Sequence, residues 1–182
     1  MNDQKITLKY IAALIIVVFI TWFIHEFAHW LTSEYLGYES IMRLNGVSPV
    51  PGQHPTDLHN IITSAAGPVI TIIQGLIAFV FLKFRQWNKY VYAFLFTALF
   101  MRSLAGIMNF IMMNDEGRIS EYLKLGAFTL PLIVSGILFY MVFKISTKYK
   151  LKWKFQLYLS LLLIITVTAL IFFDQYFKLR IL

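Results

Sequence analysis

Long apolar stretches separated by short polar segments dominate the chain. A helix needs about 20 largely apolar residues to cross a hydrocarbon core about 30 Å thick, and stretches of this length recur along the sequence. The predicted spans are residues 8–31, 61–82, 90–113, 125–143 and 155–173. The pattern therefore predicts an all-α polytopic membrane protein of about five transmembrane helices, with residues 1–182 forming a single membrane domain.

The first span is interpreted as a retained helix rather than as a cleaved signal peptide. Its apolar run continues from Tyr10 to Ile24 and leads into polar residues without the A-x-A-like site at which signal peptides are cut. The loop that follows, about residues 32–60, is rich in Gly and Pro, which favour turns. Within it, the alternation between Tyr38 and Val50 predicts a short hairpin or a re-entrant edge.

The composition agrees with a membrane protein. Hydrophobic residues make up 59% of the chain and charged residues 14%, whereas soluble domains are nearer half apolar and a quarter charged. The chain has no cysteine, which excludes disulfides, Cys-ligated zinc ribbons and iron–sulfur clusters. Any metal chemistry must therefore use His and carboxylate ligands.

The net charge of +7 arises from 16 basic and 9 acidic residues, and the positions of the basic residues predict the orientation. Cytoplasmic loops of membrane proteins carry an excess of Lys and Arg. With a cytoplasmic N-terminus, that side has ten of the 16: Lys5, Lys9, Lys83, Arg85, Lys89, Lys144, Lys148, Lys150, Lys152 and Lys154. The basicity is thus a topology signal, and no nucleic-acid partner is expected. The lysines of the last cytoplasmic loop are expected to anchor it against anionic lipid.

The segment His25-Glu26-Phe27-Ala28-His29 carries an HExxH motif. Residues four apart on a helix share a face, so both imidazoles can reach one zinc ion. Glu26 lies beside them and can take a proton from an activated water, as in zinc peptidases. The alternative is an interfacial polar cluster without a metal. Because unpaired ionisable groups are costly near an apolar span, the functional interpretation is favoured.

Two histidines leave the site short of ligands, because catalytic zinc usually takes three protein ligands and a water. The end of the third span brings Asp115 and Glu116 to the membrane edge on the same predicted side as the HExxH motif. Asp115 is the favoured third ligand and Glu116 the next. Other candidates on that side are His54, His59 and Asp57.

Several further residues have open roles. Asn109 is expected either to donate a hydrogen bond to a bound substrate backbone or to bond between helices. Arg102, inside the third span, either snorkels, pairs with a carboxylate such as Asp57, or lines a cavity. Gly67 and Pro68 allow close approach and a kink in the second span, which suits a cavity and suits simple packing equally well.

Together these residues resemble the site-2 protease family of intramembrane zinc metalloproteases. The resemblance rests on HEFAH at 25–29, on Ala66-Gly67-Pro68 opening the second span, and on Asn109 followed by Asp115 around the third. It covers about residues 10–120, and the chain is then a short, divergent member.

The resemblance implies a three-helix catalytic core, at about residues 8–120, that cleaves substrates within or next to their transmembrane helices. The spans at 125–143 and 155–173 are additional. By position, His25 and His29 would be zinc ligands, Glu26 the base and Asp115 the third ligand.

The chain departs from the family in two respects. Family members usually have Asn, then Pro, then Asp-Gly, whereas no Pro lies between Asn109 and Asp115, and Gly117 follows Glu116. Well-known members open the zinc site toward the cytosol, whereas the charge bias places this one near the outer face.

The sequence thus predicts a multi-pass protein of the cell membrane with a cytoplasmic N-terminus. It is expected to be a zinc metalloendopeptidase that binds one zinc ion near the outer face and hydrolyses peptide bonds of membrane-protein substrates in or next to their transmembrane segments. One alternative is a non-catalytic or degenerate membrane module that acts through partner binding. Another is a zinc hydrolase of a lipid-linked substrate.

Overall fold

The structure, a computed structural model, describes residues 3–182 and is almost entirely helical in that range. Its elements in chain order are α1 (Leu8–Tyr35), β1 (Ser40–Arg43), β2 (Gly46–Pro49), α2 (Asp57–Phe84), α3 (Lys89–Met108), α4 (Asp115–Tyr122), α5 (Thr129–Lys148) and α6 (Trp153–Phe177). All helices of this range except α4 are long and apolar enough to cross a membrane. The protein is therefore an all-α, multi-pass membrane protein, as the sequence predicted.

The apolar residues of the long helices face both inward and outward. Leu14, Leu138 and Leu159 are buried between helices, whereas Ile77 and Leu132 are 65% and 70% exposed. Soluble proteins rarely expose large continuous apolar surfaces, but such a surface is what lipid tails solvate. The exposed apolar side chains thus form the lipid-facing surface of the bundle.

The helix boundaries differ from the predicted spans by up to five residues, at the end of the third span and at the end of the fourth, where α5 continues to Lys148 instead of residue 143. α3 ends at Met108 instead of residue 113, because the chain turns at Asn109. The Asn109 Oδ1 atom accepts a hydrogen bond from the Asn114 backbone N–H at 2.7 Å. Asn114 in turn caps a new helix by accepting from the Gly117 N–H at 2.8 Å. The acidic segment is therefore a short helix, α4, where the sequence predicted the end of a span and a turn.

The first three helices pack against one another and form the core of the bundle. A hydrogen bond of 2.7 Å from Gln74 Nε2 to Thr21 Oγ1 joins α2 to α1 in its interior. α4 lies against α2 and α5, while α6 packs on α1. The arrangement places the short helix α4 beside the core rather than away from it.

The predicted hairpin is confirmed. β1 and β2 are antiparallel, with Ser40 opposite Pro49 and Arg43 opposite Gly46. The C-terminal residues pair with the same hairpin: the Ile181 N–H donates to Met42 O at 2.8 Å, and the Met42 N–H donates to Leu182 O at 3.0 Å. The end of the chain is thereby fixed beside the end of α1, a contact that the hydrophobic pattern did not predict.

At the opposite end of the bundle, the N-terminal segment contacts two loops. Trp87 Nε1 donates to Asp3 O at 2.8 Å, and Lys89 Nζ donates to Lys5 O at 2.8 Å. The Lys152 N–H donates to Gln4 Oε1 at 2.8 Å. These bonds gather the N-terminus and the α2–α3 and α5–α6 connections, with their basic residues, at one end.

Candidate metal centre

The HExxH motif lies in the last third of α1. His25 and His29 are about 26 and 32 Å along the helix from Leu8, at 1.5 Å per residue. The motif therefore lies toward the end of α1 that is farther from the N-terminus. His25, Glu26 and His29 are all buried.

The structure brings Asp115 to the two histidines. The Nε2 atoms of His25 and His29 lie 3.2 Å apart, and Asp115 Oδ2 lies 3.3 Å from each of them. A tetrahedral zinc ion with bonds of about 2.0 to 2.1 Å holds its ligand atoms about 3.3 to 3.4 Å apart. The three atoms therefore fit one face of a zinc coordination tetrahedron.

The outer ring nitrogens fix the tautomer of each histidine. His29 Nδ1 lies 2.6 Å from the Thr63 carbonyl, which can only accept, so Nδ1 carries the proton. His25 Nδ1 lies 3.1 Å from Thr71 Oγ1, whose own proton goes to Gly67 O at 3.0 Å. His25 therefore also donates from Nδ1. In their neutral forms both rings present an Nε2 lone pair to the centre, as zinc ligands do.

Asp115 presents one carboxylate oxygen to the histidines and the other to a cation. Oδ1 accepts from Arg118 Nη2 at 2.6 Å, which leaves Oδ2 for the centre. Burial raises the pKa of the Asp115 carboxyl, but hydrogen bonds from a histidine Nε2 that carries a proton, together with the charge of that ring, outweigh burial and hold the pKa well below its usual value. The carboxylate is thus ionised at neutral pH. A proton on the Nε2 atom of either histidine occupies the lone pair that a metal ion would need, so protons and a metal ion compete for this group.

Gly67 of α2 lies directly against the two imidazole rings. A Cβ at this position would overlap His29 Nε2 and lie 2.5 Å from His25 Cε1. No larger residue fits without moving an imidazole. The close approach of α2 to α1 at the centre thus depends on this glycine, so the structure shows close packing at the start of the second span.

Glu116 does not join the group, because it pairs with Arg102 of α3. Arg102 Nη1 lies 3.1 Å from Glu116 Oε1 and 4.0 Å from Asp115 Oδ2. Both side chains of the pair are buried. Within residues 3–182, Arg102 Nε and Glu116 Oε2 have no hydrogen-bond partner. Of the roles open for Arg102, the structure thus shows pairing with a carboxylate, but with Glu116 rather than with Asp57.

Glu26 differs from the other acidic residues of the centre. It is 7% exposed, and within the described range its carboxylate takes part in no hydrogen bond or ion pair. The other buried carboxylates near α1 are held, for example Asp174, whose Oδ1 accepts from the Leu44 N–H at 3.1 Å. No internal partner within residues 3–182 thus fixes the orientation of the Glu26 carboxylate.

The remaining candidate ligands lie apart from the centre. His59 Nδ1 is bonded to Tyr38 Oη at 2.7 Å, and both His54 and Asp57 are exposed on the loop side of α2. In the part of the chain that the structure describes, only His25, His29 and Asp115 form a group of three ligand residues.

Both groups of the Asn109 amide are engaged within the protein. Besides accepting from Asn114, it donates from Nδ2 to Ala127 O at 2.9 Å. Asn109 therefore joins the α3–α4 turn to the start of the α5 region. Of its two expected roles, the structure shows an internal bond between helical segments.

Two partners of the histidines were missed at the sequence level. Thr63 contacts His29 through its backbone carbonyl, a group that every residue has, so the sequence does not mark this position. Thr71 could have been recognised from the sequence, because it lies four residues after Gly67 and hence on the same face of α2. A polar residue one helical turn from a conspicuous small residue in an apolar span was the available signal.

No protein-family model, curated protein or solved structure matches this chain. What the fold and the centre define is a multi-pass membrane protein in which two histidines of one span and an aspartate of a short helix form a group able to hold a metal ion.

Proposed function

We propose that this protein is an intramembrane zinc metalloprotease. One observation carries the proposal: His25 Nε2, His29 Nε2 and Asp115 Oδ2 form a triangle with edges of 3.2 to 3.3 Å, next to the Glu26 of an HExxH motif. The donor set of two imidazoles and one carboxylate is that of known catalytic zinc sites. The spacing of the HExxH motif is also part of the resemblance to site-2 proteases.

In this proposal His25, His29 and Asp115 hold the ion, which when bound polarises a carbonyl and increases the acidity of water. Glu26 takes one proton from the attacking water as the new C–O bond forms. It then gives that proton to the leaving nitrogen as the C–N bond breaks. The products are a carboxylic acid and an amine, so one water is consumed per bond cleaved.

The depth of the centre indicates the class of substrate. The histidines lie near one edge of the hydrocarbon region, and the Asp115 side chain is 15% exposed, so water can reach the ligand group from the α4 side. A peptide bond at this depth belongs to a transmembrane segment or to the residues next to it. We therefore propose membrane-protein substrates, cleaved in or beside their spans.

We also propose that the N-terminus is cytoplasmic and that the centre lies near the outer face of the cell membrane, from the bias of basic residues toward one end. Because the chain has no cysteine, single cysteines can report the orientation. Ser48 of β2 and Gln86 of the α2–α3 connection are both exposed. In intact cells, a membrane-impermeant thiol reagent should label S48C and not Q86C; the reverse result would place the site on the cytoplasmic side.

The decisive test of activity compares wild type with Glu26→Gln. Both proteins, purified after loading with zinc, should hold about one equivalent. Membranes of cells that produce each protein would then be searched by mass spectrometry for new peptide termini inside or beside transmembrane segments. We expect such termini with wild type and their loss, by at least about a hundredfold, with the variant.

The outcomes separate the alternatives. Less than half an equivalent of zinc after reconstitution would overturn the metal assignment. Full zinc with equal termini in both samples would leave a non-catalytic binding module. A Glu26-dependent change in membrane lipids without new peptide termini would indicate a hydrolase of lipid-linked substrates instead.

A further inference from the structure

A groove of about 1060 Å³ lies between the start of α1 and the first half of α6, far from the metal centre. Its wall is apolar and includes Ile11, Phe155, Leu161, Leu162 and Ile165. Three lysines form its rim at one end: Lys5, Lys152 and Lys154. The groove is thus apolar along its length and basic at one end.

The length of the apolar wall matches one leaflet of a bilayer. From Lys154 to Ile165 the helix rises about 16 Å, at 1.5 Å per residue. A hydrocarbon core of about 30 Å gives each leaflet about 15 Å. An acyl chain that starts at the lysines therefore ends near the middle of the membrane, where the groove ends.

The level of the lysines is that of lipid head groups. Trp153 lies between Lys152 and Lys154 and is 67% exposed. Exposed Trp residues at the end of a span mark the interface between hydrocarbon and water. The basic rim is thus placed where phosphates of the same leaflet lie.

The rim has unneutralised positive charge. All three lysines are exposed, and the ion pairs found among residues 3–182 use other cations. Asp3, the acidic residue of the groove, has its Oδ2 atom 2.8 Å from Lys89 Nζ and is already paired. The contacts of Lys5 and Lys152 with neighbouring loops use backbone atoms, which leaves their ammonium groups to the groove.

We propose that this groove is a binding site for one anionic phospholipid of the leaflet next to the N-terminus. The phosphate of the head group lies among Lys5, Lys152 and Lys154, and an acyl chain lies along the α1–α6 wall. Basic pockets beside transmembrane helices are known to hold anionic head groups. The site is independent of the proposed peptidase activity.

The test uses the full chain purified in a neutral detergent. Binding of phosphatidylglycerol and of phosphatidylcholine with identical acyl chains would be measured by native mass spectrometry. We expect tighter binding of phosphatidylglycerol to wild type. The triple variant K5Q/K152Q/K154Q should bind phosphatidylglycerol at least about tenfold more weakly than wild type does, and should bind the two lipids equally.

A matched control removes three other charges from the same end of the bundle. Lys83, Arg85 and Lys144 are exposed and do not line the groove, so K83Q/R85Q/K144Q should keep the preference. Leu161→Trp and Ile165→Trp, which fill the groove along its apolar wall, should weaken the binding of phosphatidylglycerol and of phosphatidylcholine to the same extent. Thermal unfolding of each variant would show that the fold is intact.

The proposal fails if wild type binds the two lipids equally, or if both triple variants lose the preference to the same extent. It also fails if inorganic phosphate or the deacylated head group competes as well as the intact lipid, because the groove wall then contributes nothing. Wall substitutions that alter dimerisation but not lipid binding would assign the groove to a second copy of the chain.

Discussion

Arg102 and Glu116 form a buried ion pair, 3.1 Å between Nη1 and Oε1, at the junction of α3 and α4. The same nitrogen lies 4.0 Å from the Asp115 oxygen that faces the histidines. The pair neutralises itself and holds α4 in place. Arg102 therefore joins α3 to the short helix that presents Asp115 to the two histidines.

Removing one member of this pair should be costly. Arg102→Gln leaves Glu116 buried without its counter-charge, and breaking such a pair costs about 3 to 5 kcal/mol. The double variant R102Q/E116Q should recover part of the loss. The check is the melting temperature of the two single variants and the double variant in detergent. Strictly additive effects would show that the two side chains are not coupled.

Gly67→Ala should destroy the metal centre. The added methyl group would overlap His29 Nε2, so one imidazole must move and the zinc content should fall well below one equivalent. Gly136→Ala is the control, because a Cβ there meets no atom within 4 Å and alanine favours a helix by about 1 kcal/mol. It should bind zinc fully. Equal zinc in both variants would contradict the close packing of α2 on the histidines.

Thr71→Val should weaken zinc binding by about 10- to 100-fold, because it removes the acceptor that orients His25. Competition with a chelator measures the affinity. Thr97→Val provides a matched control: Thr97 is equally buried, but its hydroxyl has no hydrogen-bond partner in the described part of the chain. It should leave both zinc affinity and stability unchanged or improved. A comparable loss of affinity in the two variants would count against the role of Thr71.

Asp115→Asn should reduce zinc to a trace, because the ligand oxygen loses its charge and the site keeps only two strong ligands. His59→Gln and His54→Gln should retain one equivalent, since neither side chain is near the centre. Elemental analysis of the purified variants decides the point. Retention of zinc by D115N together with its loss in H59Q would assign the third ligand to the loop.

The spans were visible in the sequence because side chains that face lipid and side chains in the core are both apolar. The same fact obscured the end of α3. Phe110 and Ile111 extend the apolar run, yet they are about 80% exposed outside the helix, at 79% and 82%. The helix ends because the Asn109 side chain captures the Asn114 N–H, a contact that hydropathy does not encode.

Within the centre, the spacing of His25 and His29 was enough to predict a shared face. The sequence could rank Asp115 above Glu116 but gave no physical reason, because adjacent residues on a helix point about 100° apart and either one can face inward. The structure brings Asp115 to the histidines because Arg102 pairs with Glu116. That pairing joins two separate helices and requires their packing to be known. The ligand role itself stays a prediction until zinc is measured.

Glu26 also has a consequence for the stability of the fold. A mostly buried carboxylate without a hydrogen-bond or ion-pair partner lowers stability, in a class of molecules whose total margin is only about 5 to 15 kcal/mol. An apolar residue of similar size would give a sturdier α1. An acid at this position trades robustness for reactivity, as the role of proton acceptor that we propose for Glu26 would require.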